Sequence, residues 1–274
     1  NVFDKFRHPK NFWGKIKNFP RNISDEKPSH YVLTTSENLR YIFSSAFKTE
    51  NILIAGYPRN QVLISDDIKN IYLDEENRDR KKIISFLKKK INGGNKKMIF
   101  YMPTFRESEI LFFENFDRDD FQMFLEENNI LFCIKLHPKS KLNEEFRNIQ
   151  SENIMVINKD ADPYVFLKMA DVLITDYSSI YFDYLLLDRP IIFFAYDLEE
   201  YLNDSREMYF DYDEFTPGEK VNDYQELKSG IVKVIYYSDQ YKEARNLMRN
   251  YVFDYDISCN NIVFKITELG DRYD

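Results

Sequence analysis

The chain has 274 residues, of which 43% are hydrophobic and 31% charged, which is enough for one large domain with a sizeable core. Its formal net charge of −8 argues against nucleic acid as a partner. No signal peptide and no apolar run of about 18 residues is present, so no segment is predicted to span a membrane. The two cysteines, Cys133 and Cys259, lack zinc or disulfide spacing, which indicates a reducing, cytoplasmic compartment.

The first 28 residues differ in composition from the rest. Between Phe3 and Arg21, basic side chains alternate with aromatic ones, and acidic side chains are almost absent before Asp25. Two interpretations stay open. The segment is either a basic-aromatic patch on an anionic membrane surface, which would make the protein peripheral on the inner face of the bacterial cell membrane, or a linker that wraps around a core.

From residue 29 onward, strand and helix patterns alternate. Hydrophobic runs predict strands over residues 31–34, 52–55, 98–102, 131–136, 154–157, 172–175 and 191–196. Periodicity, caps and breakers predict helices over residues 36–47, 80–91, 119–128, 163–170, 179–187, 224–236 and 240–251. This alternation predicts an α/β fold, a Rossmann-like parallel sheet with helices on both faces.

The most informative turn is Asp176-Tyr-Ser-Ser179, between a predicted strand and a predicted helix. Two hydroxyls and the first N–H groups of the helix would point beyond the strand, an arrangement that suits an anion. Asp183 lies one helical turn further and can face the same space. A phosphorylated, hydroxyl-rich ligand is therefore predicted, although Ser179 could simply cap the helix.

Three other predicted strands end in turns with unusual polar residues. These are Gly56-Tyr-Pro-Arg59, Pro103-Thr-Phe-Arg106 and Lys135-Leu-His-Pro138. Ligands of open α/β sheets bind at the carboxyl ends of the strands, so all four turns are expected on one rim. Arg59 and Arg106 suit phosphate oxygens, and His137 can donate to a phosphate or act as an acid.

Each of these residues also has a structural alternative. Arg59 could pair with a surface carboxylate, Lys135 could snorkel, and His137 could be a buried core histidine. Their convergence on four turns favours a diphosphate site. Since arginines, a histidine and a helix end can neutralise a leaving diphosphate, neither a metal nor a cofactor is predicted. The sequence contains no Gly-x-Gly-x-x-Gly and no Walker lysine loop, which argues against a nicotinamide enzyme or a P-loop kinase.

Taken together, these motifs resemble the CDP-glycerol glycerophosphotransferase family, the teichoic acid polymerases and primases. The resemblance covers roughly residues 31–220. Within this range it also includes Arg189-Pro-Ile-Ile-Phe-Phe-Ala-Tyr-Asp197 and Pro217-Gly218. It implies the C-terminal, donor-binding lobe of a GT-B glycosyltransferase-type fold. It also implies a CDP-glycerol or CDP-ribitol donor, a lipid-linked or polymeric acceptor, release of CMP, and a role in teichoic-acid-like or capsular polymer synthesis without a metal.

The resemblance also implies an organisation of the chain and a set of site residues. Residues 1–28 would be the basic-aromatic segment, residues 29–220 the donor-binding domain, and residues 221–274 C-terminal helices that pack on the same domain. The predicted catalytic residues are His137 and Asp183. The predicted substrate-binding residues are Arg59, Thr104, Phe105, Arg106, Lys135, His137, Ser178, Ser179 and Asp183. Arg59, His137 and the two serines would hold the diphosphate, and Asp183 the polyol hydroxyls.

The sequence departs from the family pattern at two points. A Trp-His-Gly-Thr-Pro motif, whose histidine is a candidate base, does not occur, and Gln61 stands where the family commonly has an acid. A missing N-terminal lobe or a partner domain is therefore expected. Two alternatives stay open: a GT-B glycosyltransferase that uses another nucleotide sugar such as a UDP-sugar, and a non-catalytic donor-binding lobe that needs a partner domain.

Overall fold

The structure is a computed structural model that describes residues 4–5, 30–65, 78–94, 96–105, 117–137, 140, 151–158, 160–202, 207–254, 262 and 267. The chain forms two compact units. Unit 1 comprises Asn1–Gln61, Leu198–Phe215 and Leu247–Asp274, and unit 2 comprises Val62–Asp197 and Thr216–Asn246. The boundaries of these units differ from the domain limits at residues 28 and 220 that the sequence predicted. Those limits stay a prediction. Apart from residues 4–5, the basic-aromatic segment lies outside the described residues.

The predicted strands and helices all occur, and the structure adds short elements that were not predicted at residues 4–5, 61–64, 198–200, 207–208, 212–215 and 219–221. The strands are β1 (Asp4–Lys5), β2 (Val32–Thr34), β3 (Ile52–Ile54), β4 (Lys97–Tyr101), β5 (Ile130–Ile134), β6 (Ile154–Val156), β7 (Val172–Thr175), β8 (Ile191–Phe194), β9 (Glu207–Met208) and β10 (Glu219–Val221). The α-helices are α1 (Arg40–Phe47), α2 (Gln61–Ile64), α3 (Arg78–Gly94), α4 (Arg118–Glu127), α5 (Pro163–Met169), α6 (Ile180–Tyr184), α7 (Leu198–Glu200), α8 (Tyr212–Phe215), α9 (Tyr224–Tyr236) and α10 (Lys242–Val252).

Unit 2 is built around one six-stranded sheet in the order β10-β8-β7-β4-β5-β6, in which every neighbouring pair is parallel. The inner strands β5, β7 and β8 are buried along their whole length. Continuous apolar runs of this kind belong to parallel sheets covered on both faces, because both sets of side chains must leave water. The predicted α/β class is confirmed.

Helices cover both faces of this sheet. On one face, Phe132 of β5 meets Phe121 of α4 edge to face, with ring centroids 5.0 Å apart. On the other face, Phe100 of β4 stacks on Phe166 of α5, with centroids 6.1 Å apart. Since successive side chains of a strand point to opposite faces, the alternating residues of β4 and β5 supply both layers of the core.

Unit 1 contains the parallel pair β2–β3 and the antiparallel pair β1–β9. The segment after β2 is hydrogen-bonded to the end of α10. Thr35 Oγ1 donates to the carbonyl of Val252 at 2.6 Å, Asn38 Nδ2 to the carbonyl of Tyr251 at 3.0 Å, and the amide of Asp254 donates to the carbonyl of Thr35 at 3.1 Å. These bonds fix the carboxyl end of β2 to a segment more than 200 residues later.

Several predicted elements have the predicted limits, and others are divided. The predicted strand 172–175 and helix 224–236 coincide with β7 and α9. The predicted helix 179–187 is α6 followed by the 3-10 turn Leu185–Leu187, which ends at Asp188 in the left-handed region with φ of 47°. Within the part of the chain that the structure describes, no helix has both the length and the apolar character needed to cross a bilayer.

Candidate functional site at the carboxyl edge of the sheet

The carboxylate of Asp176 joins the carboxyl ends of two neighbouring strands, β4 and β7. It is only 1% exposed. Its Oδ1 accepts from the amide and hydroxyl of Thr104, at 2.9 and 2.7 Å, from the amide of Tyr177 at 2.6 Å, and more weakly from that of Ser178 at 3.3 Å. These donors offset the cost of burying the carboxylate. Asp176 was absent from the predicted site residues, although an acid directly after a buried strand is a signal that could have found it.

The two predicted phosphate-binding serines lie in the turn between β7 and α6. Ser178 and Ser179 are both half-buried. Ser179 is the N-cap residue of α6, but its side chain forms no capping hydrogen bond. The helix itself has only five residues.

His137 and Phe105 form an exposed aromatic pair at the same edge of the sheet as this turn. They follow the neighbouring strands β5 and β4, and their ring centroids are 5.0 Å apart with a tilt of 42°. His137 is exposed, so it is not the buried core histidine of the structural alternative. It lies after β5 at the carboxyl edge of the sheet, and contact between its ring and a ligand stays a prediction.

Lys135 has an evident structural contact. Its side chain is buried, and its ammonium donates to the carbonyl of Asn158 at 3.0 Å. Burial lowers the pKa of the Lys135 ammonium, and the nearby carboxylates of Asp160 and Asp162 oppose that shift. The contact ties the end of β5 to the turn after β6, whereas contact between Lys135 and a substrate stays a prediction.

Asp183 lies on α6 and is only 4% exposed. Its Oδ2 accepts a hydrogen bond of 2.6 Å from the hydroxyl of Tyr164, on α5. The carboxylate therefore links two helices, and direct contact with polyol hydroxyls or a catalytic role stays a prediction. Tyr164 was not among the predicted site residues, because nothing local to its sequence indicates a partner 19 residues later.

The two predicted arginines are not among the residues found at this edge of unit 2. Arg59 belongs to unit 1, in the 3-10 turn Pro58–Asn60 after β3, where its exposed guanidinium lies 4.0 Å from the centroid of the Tyr57 ring. Arg106 lies outside the described residues. The structure thus brings Thr104, Phe105, His137, Ser178 and Ser179 to one edge of unit 2.

Comparisons with known proteins agree on one family. The sequence model described as CDP-Glycerol:Poly(glycerophosphate) glycerophosphotransferase matches residues 5–264. The teichoic acid poly(ribitol-phosphate) polymerase of Bacillus spizizenii is 33% identical over 193 residues, which are 68% of this chain and 29% of that protein. The teichoic acid glycerol-phosphate transferase of Staphylococcus aureus is 28% identical over 226 residues, which are 79% of this chain and 54% of that protein.

The fold also matches a solved structure. That of the wall teichoic acid polymerase TagF superposes with a TM-score of 0.69 at 26% identity, over 98% of this chain and 65% of that chain. The chain therefore shares its fold with TagF, a GT-B-type transferase. It spans 27–54% of the length of the first three curated relatives.

Proposed function

Because the chain belongs to the CDP-glycerol:poly(glycerophosphate) glycerophosphotransferase family, we propose that it transfers glycerol phosphate or ribitol phosphate from a CDP-polyol to a lipid-linked or polymeric acceptor. The polymer would be teichoic-acid-like or capsular, and CMP would be released. The sequence resemblance to this family and the GT-B-type fold are confirmed. One solved TagF structure is of a variant soaked with CDPG, which supports a CDP-polyol as the donor here.

One structural observation carries the proposal. The turns after the neighbouring strands β7, β4 and β5 carry Ser178 and Ser179, Phe105, and His137 respectively. Hydroxyl and imidazole groups at one edge of a parallel sheet can donate to the oxygens of a diphosphate, and the exposed Phe105 ring offers a surface for a cytosine or ribose. This set of donors suits a nucleotide diphosphate better than an uncharged sugar.

The proposed reaction is a direct phosphoryl transfer. The terminal hydroxyl oxygen of the acceptor attacks the phosphorus that carries the polyol, and the bond from this phosphorus to the bridging oxygen breaks. The bridging oxygen leaves with CMP and keeps the electron pair, while the acceptor hydroxyl loses its proton to a base. Donors on the diphosphate stabilise the charge that develops on the leaving group.

The proposed residues act on the diphosphate and on the leaving group. His137 donates to the diphosphate and protonates the leaving oxygen, and the Ser178 and Ser179 hydroxyls donate to the oxygens of the same group. Arg106 is proposed to contribute positive charge, and a role for Arg59, which belongs to unit 1, stays a prediction. With these donors the transfer is proposed to proceed without a metal, and full activity in excess EDTA would support this.

A second candidate function is a non-catalytic donor-binding lobe. In that case the chain would bind donor, and the base would come from another domain. Purified chain that binds CDP-glycerol yet releases no CMP with a lipid-linked acceptor would favour this alternative. Peripheral association with an anionic membrane is likewise a proposal, and co-sedimentation with phosphatidylglycerol vesicles tests it.

Calorimetry with a panel of nucleotides tests the leading proposal. CDP-glycerol or CDP-ribitol is expected to bind more tightly than UDP-glucose. His137→Ala is expected to weaken the binding of CDP-glycerol about 10-fold, a change that corresponds to the loss of one charge-assisted hydrogen bond. His30→Ala is the matched control, because His30 is also exposed. Preference for a UDP-sugar, or equal binding by His137→Ala and wild type, would contradict the proposal.

A further inference from the structure

The carboxylate of Asp176 holds two loops of the proposed site in one arrangement. We infer that Asp176 is a positioning residue, which acts through Thr104 and Ser178 and sets the spacing between the Phe105–His137 pair and the serine turn. This inference rests on the proposed function for its effect on donor binding. The link between the two loops is a property of the chain itself.

The geometry of the link is specific. Thr104 supplies two donors to Asp176: its amide lies 2.9 Å from Oδ1 and 3.0 Å from Oδ2, and its hydroxyl lies 2.7 Å from Oδ1. The amides of Tyr177 and Ser178 approach Oδ1 from the other loop, at 2.6 and 3.3 Å. Thr104, which lies 72 residues before Asp176 in sequence, thus donates to the same carboxylate as the two amides that follow Asp176.

This arrangement separates residues that can contact a ligand from residues that place them. Asp176 is nearly inaccessible, and both donors of Thr104 are directed at it. Thr104 was predicted to bind substrate, and that stays a prediction; its hydrogen bonds to Asp176 connect the two loops. The next residue, Phe105, is exposed and packs against His137, so the link extends to a third strand end.

A transferase needs such a link because the diphosphate must meet donors from both loops at once. A shift of about 1 Å between groups that bind one substrate can lower a rate about 100-fold without removing any contact residue. A ladder bond and a side-chain bond already join the strand ends: the amide of Met102 donates to the carbonyl of Ile174 at 3.0 Å, and Thr175 Oγ1 donates to the carbonyl of Met102 at 2.8 Å. Asp176 continues this connection beyond the sheet, where the ligand-binding turns begin.

The experiment compares Thr104→Val, Thr104→Ser and Asp176→Asn with wild type. Thr104→Val removes only the hydroxyl donor, Thr104→Ser keeps it, and Asp176→Asn replaces an acceptor oxygen with a donor that faces N–H groups. Thr35→Val in unit 1 is the matched control, because it also removes one buried threonine hydrogen bond, to the carbonyl of Val252. Donor affinity, kcat, KM and amide hydrogen exchange in ligand-free protein are measured for each variant.

We expect Thr104→Val to weaken CDP-glycerol binding about 10-fold and to lower kcat as well, whereas Thr104→Ser and Thr35→Val stay within about 2-fold of wild type. Combining Thr104→Val with Asp176→Asn should add little to Asp176→Asn alone, since both act on one link. In ligand-free protein, Thr104→Val should speed the exchange of the amides of Tyr177 and Ser178.

Two results would overturn the inference: wild-type affinity and kcat in Thr104→Val, or unchanged exchange at Tyr177 and Ser178 in that variant. A Thr104→Ser variant as impaired as Thr104→Val would also contradict it. If wild-type protein binds no CDP-polyol, the proposed function fails, and the exchange measurement alone then decides whether Asp176 couples the two loops. Failure of Asp176→Asn to fold leaves this decision to the Thr104 variants.

Discussion

Tyr164 donates its hydroxyl hydrogen to Oδ2 of Asp183 at 2.6 Å, and this bond connects α5 to α6 beside the serine turn. The carboxylate is buried, so it depends on donors from the protein. The predicted polyol-binding residue is thus held by a side chain of another helix.

The variant Tyr164→Phe removes that donor without changing the ring. We expect it to lower the free energy of unfolding by about 1–3 kcal/mol, because a buried carboxylate loses a partner. Urea denaturation measures this, with Tyr41→Phe as the control, since Tyr41 is 82% exposed and its change should stay within about 0.5 kcal/mol. An unchanged midpoint in Tyr164→Phe would show that the bond contributes little.

The same substitution at two adjacent threonines of unit 1 is expected to change the free energy of unfolding differently. Thr34 Oγ1 is buried and has no hydrogen-bond partner among the residues that the structure describes, whereas Thr35 Oγ1 donates to the carbonyl of Val252. Replacing an unpaired buried hydroxyl with a methyl group of the same shape is neutral or stabilising. We expect Thr34→Val to be neutral or to stabilise, and Thr35→Val to destabilise by about 1 kcal/mol, in thermal or urea unfolding. Equal losses in both variants would contradict this.

The ion pair between Arg245 and Asp239 predicts a pH dependence of stability. The hydrogen bond from the buried Arg245 guanidinium lowers the pKa of Asp239, whose Oδ1 is 2.8 Å from Nη1. A lowered folded-state pKa adds stability above the unfolded value of about 3.9, and this stability is lost as the pH falls through the folded-state pKa. Asp239→Asn should therefore be less stable than wild type at pH 7. The loss should be limited to about 2 kcal/mol, because Asp188, 3.3 Å from Arg245, remains as a partner of the buried guanidinium. The two proteins should converge as the pH falls below the unfolded value of about 3.9 and through the lowered folded-state pKa, and a constant difference from pH 7 to pH 2 would contradict this.

Cys133 is expected to be inert in the folded protein. It lies inside β5, and burial raises the pKa of its thiol to about 12. At pH 8 the reactive thiolate is then about one part in 10,000. In a Cys259→Ser background, which leaves Cys133 as the single thiol, reaction with DTNB should await global unfolding and follow its rate. Rapid labelling of the native variant would contradict the burial.

The sequence alone could predict elements with strong local signals. The strand β7 is a short buried run between two acids. The N-cap residue of α9 is Asp223, whose side chain accepts from the amide of Glu226, while Oε2 of Glu226 accepts from the amide of Asn222. This reciprocal cap is readable from residue spacing. The edge on which the site residues lie follows from strand alternation, so the placement of His137 and Ser178 could also be anticipated.

Contacts between distant residues could not be predicted in this way. The bond from Thr104 to Asp176 needs the pairing of β4 with β7, which places two non-consecutive strands side by side. The partner of Lys135, the carbonyl of Asn158, depends likewise on the position of the turn after β6. Such partners depend on tertiary register, which has no counterpart in local periodicity.

The parallel pairing of β8 with β10 has a consequence for dissecting this protein. Parallel neighbours need a crossover connection, and here residues 195–218 provide it by passing through the segment Leu198–Phe215 of unit 1. The polypeptide changes unit four times, so neither unit is encoded by one uninterrupted stretch of gene. Expressing unit 2 by itself would require an engineered bridge from Asp197 to Thr216, long enough to return the chain to the start of β10, and trimming at the ends would not achieve it.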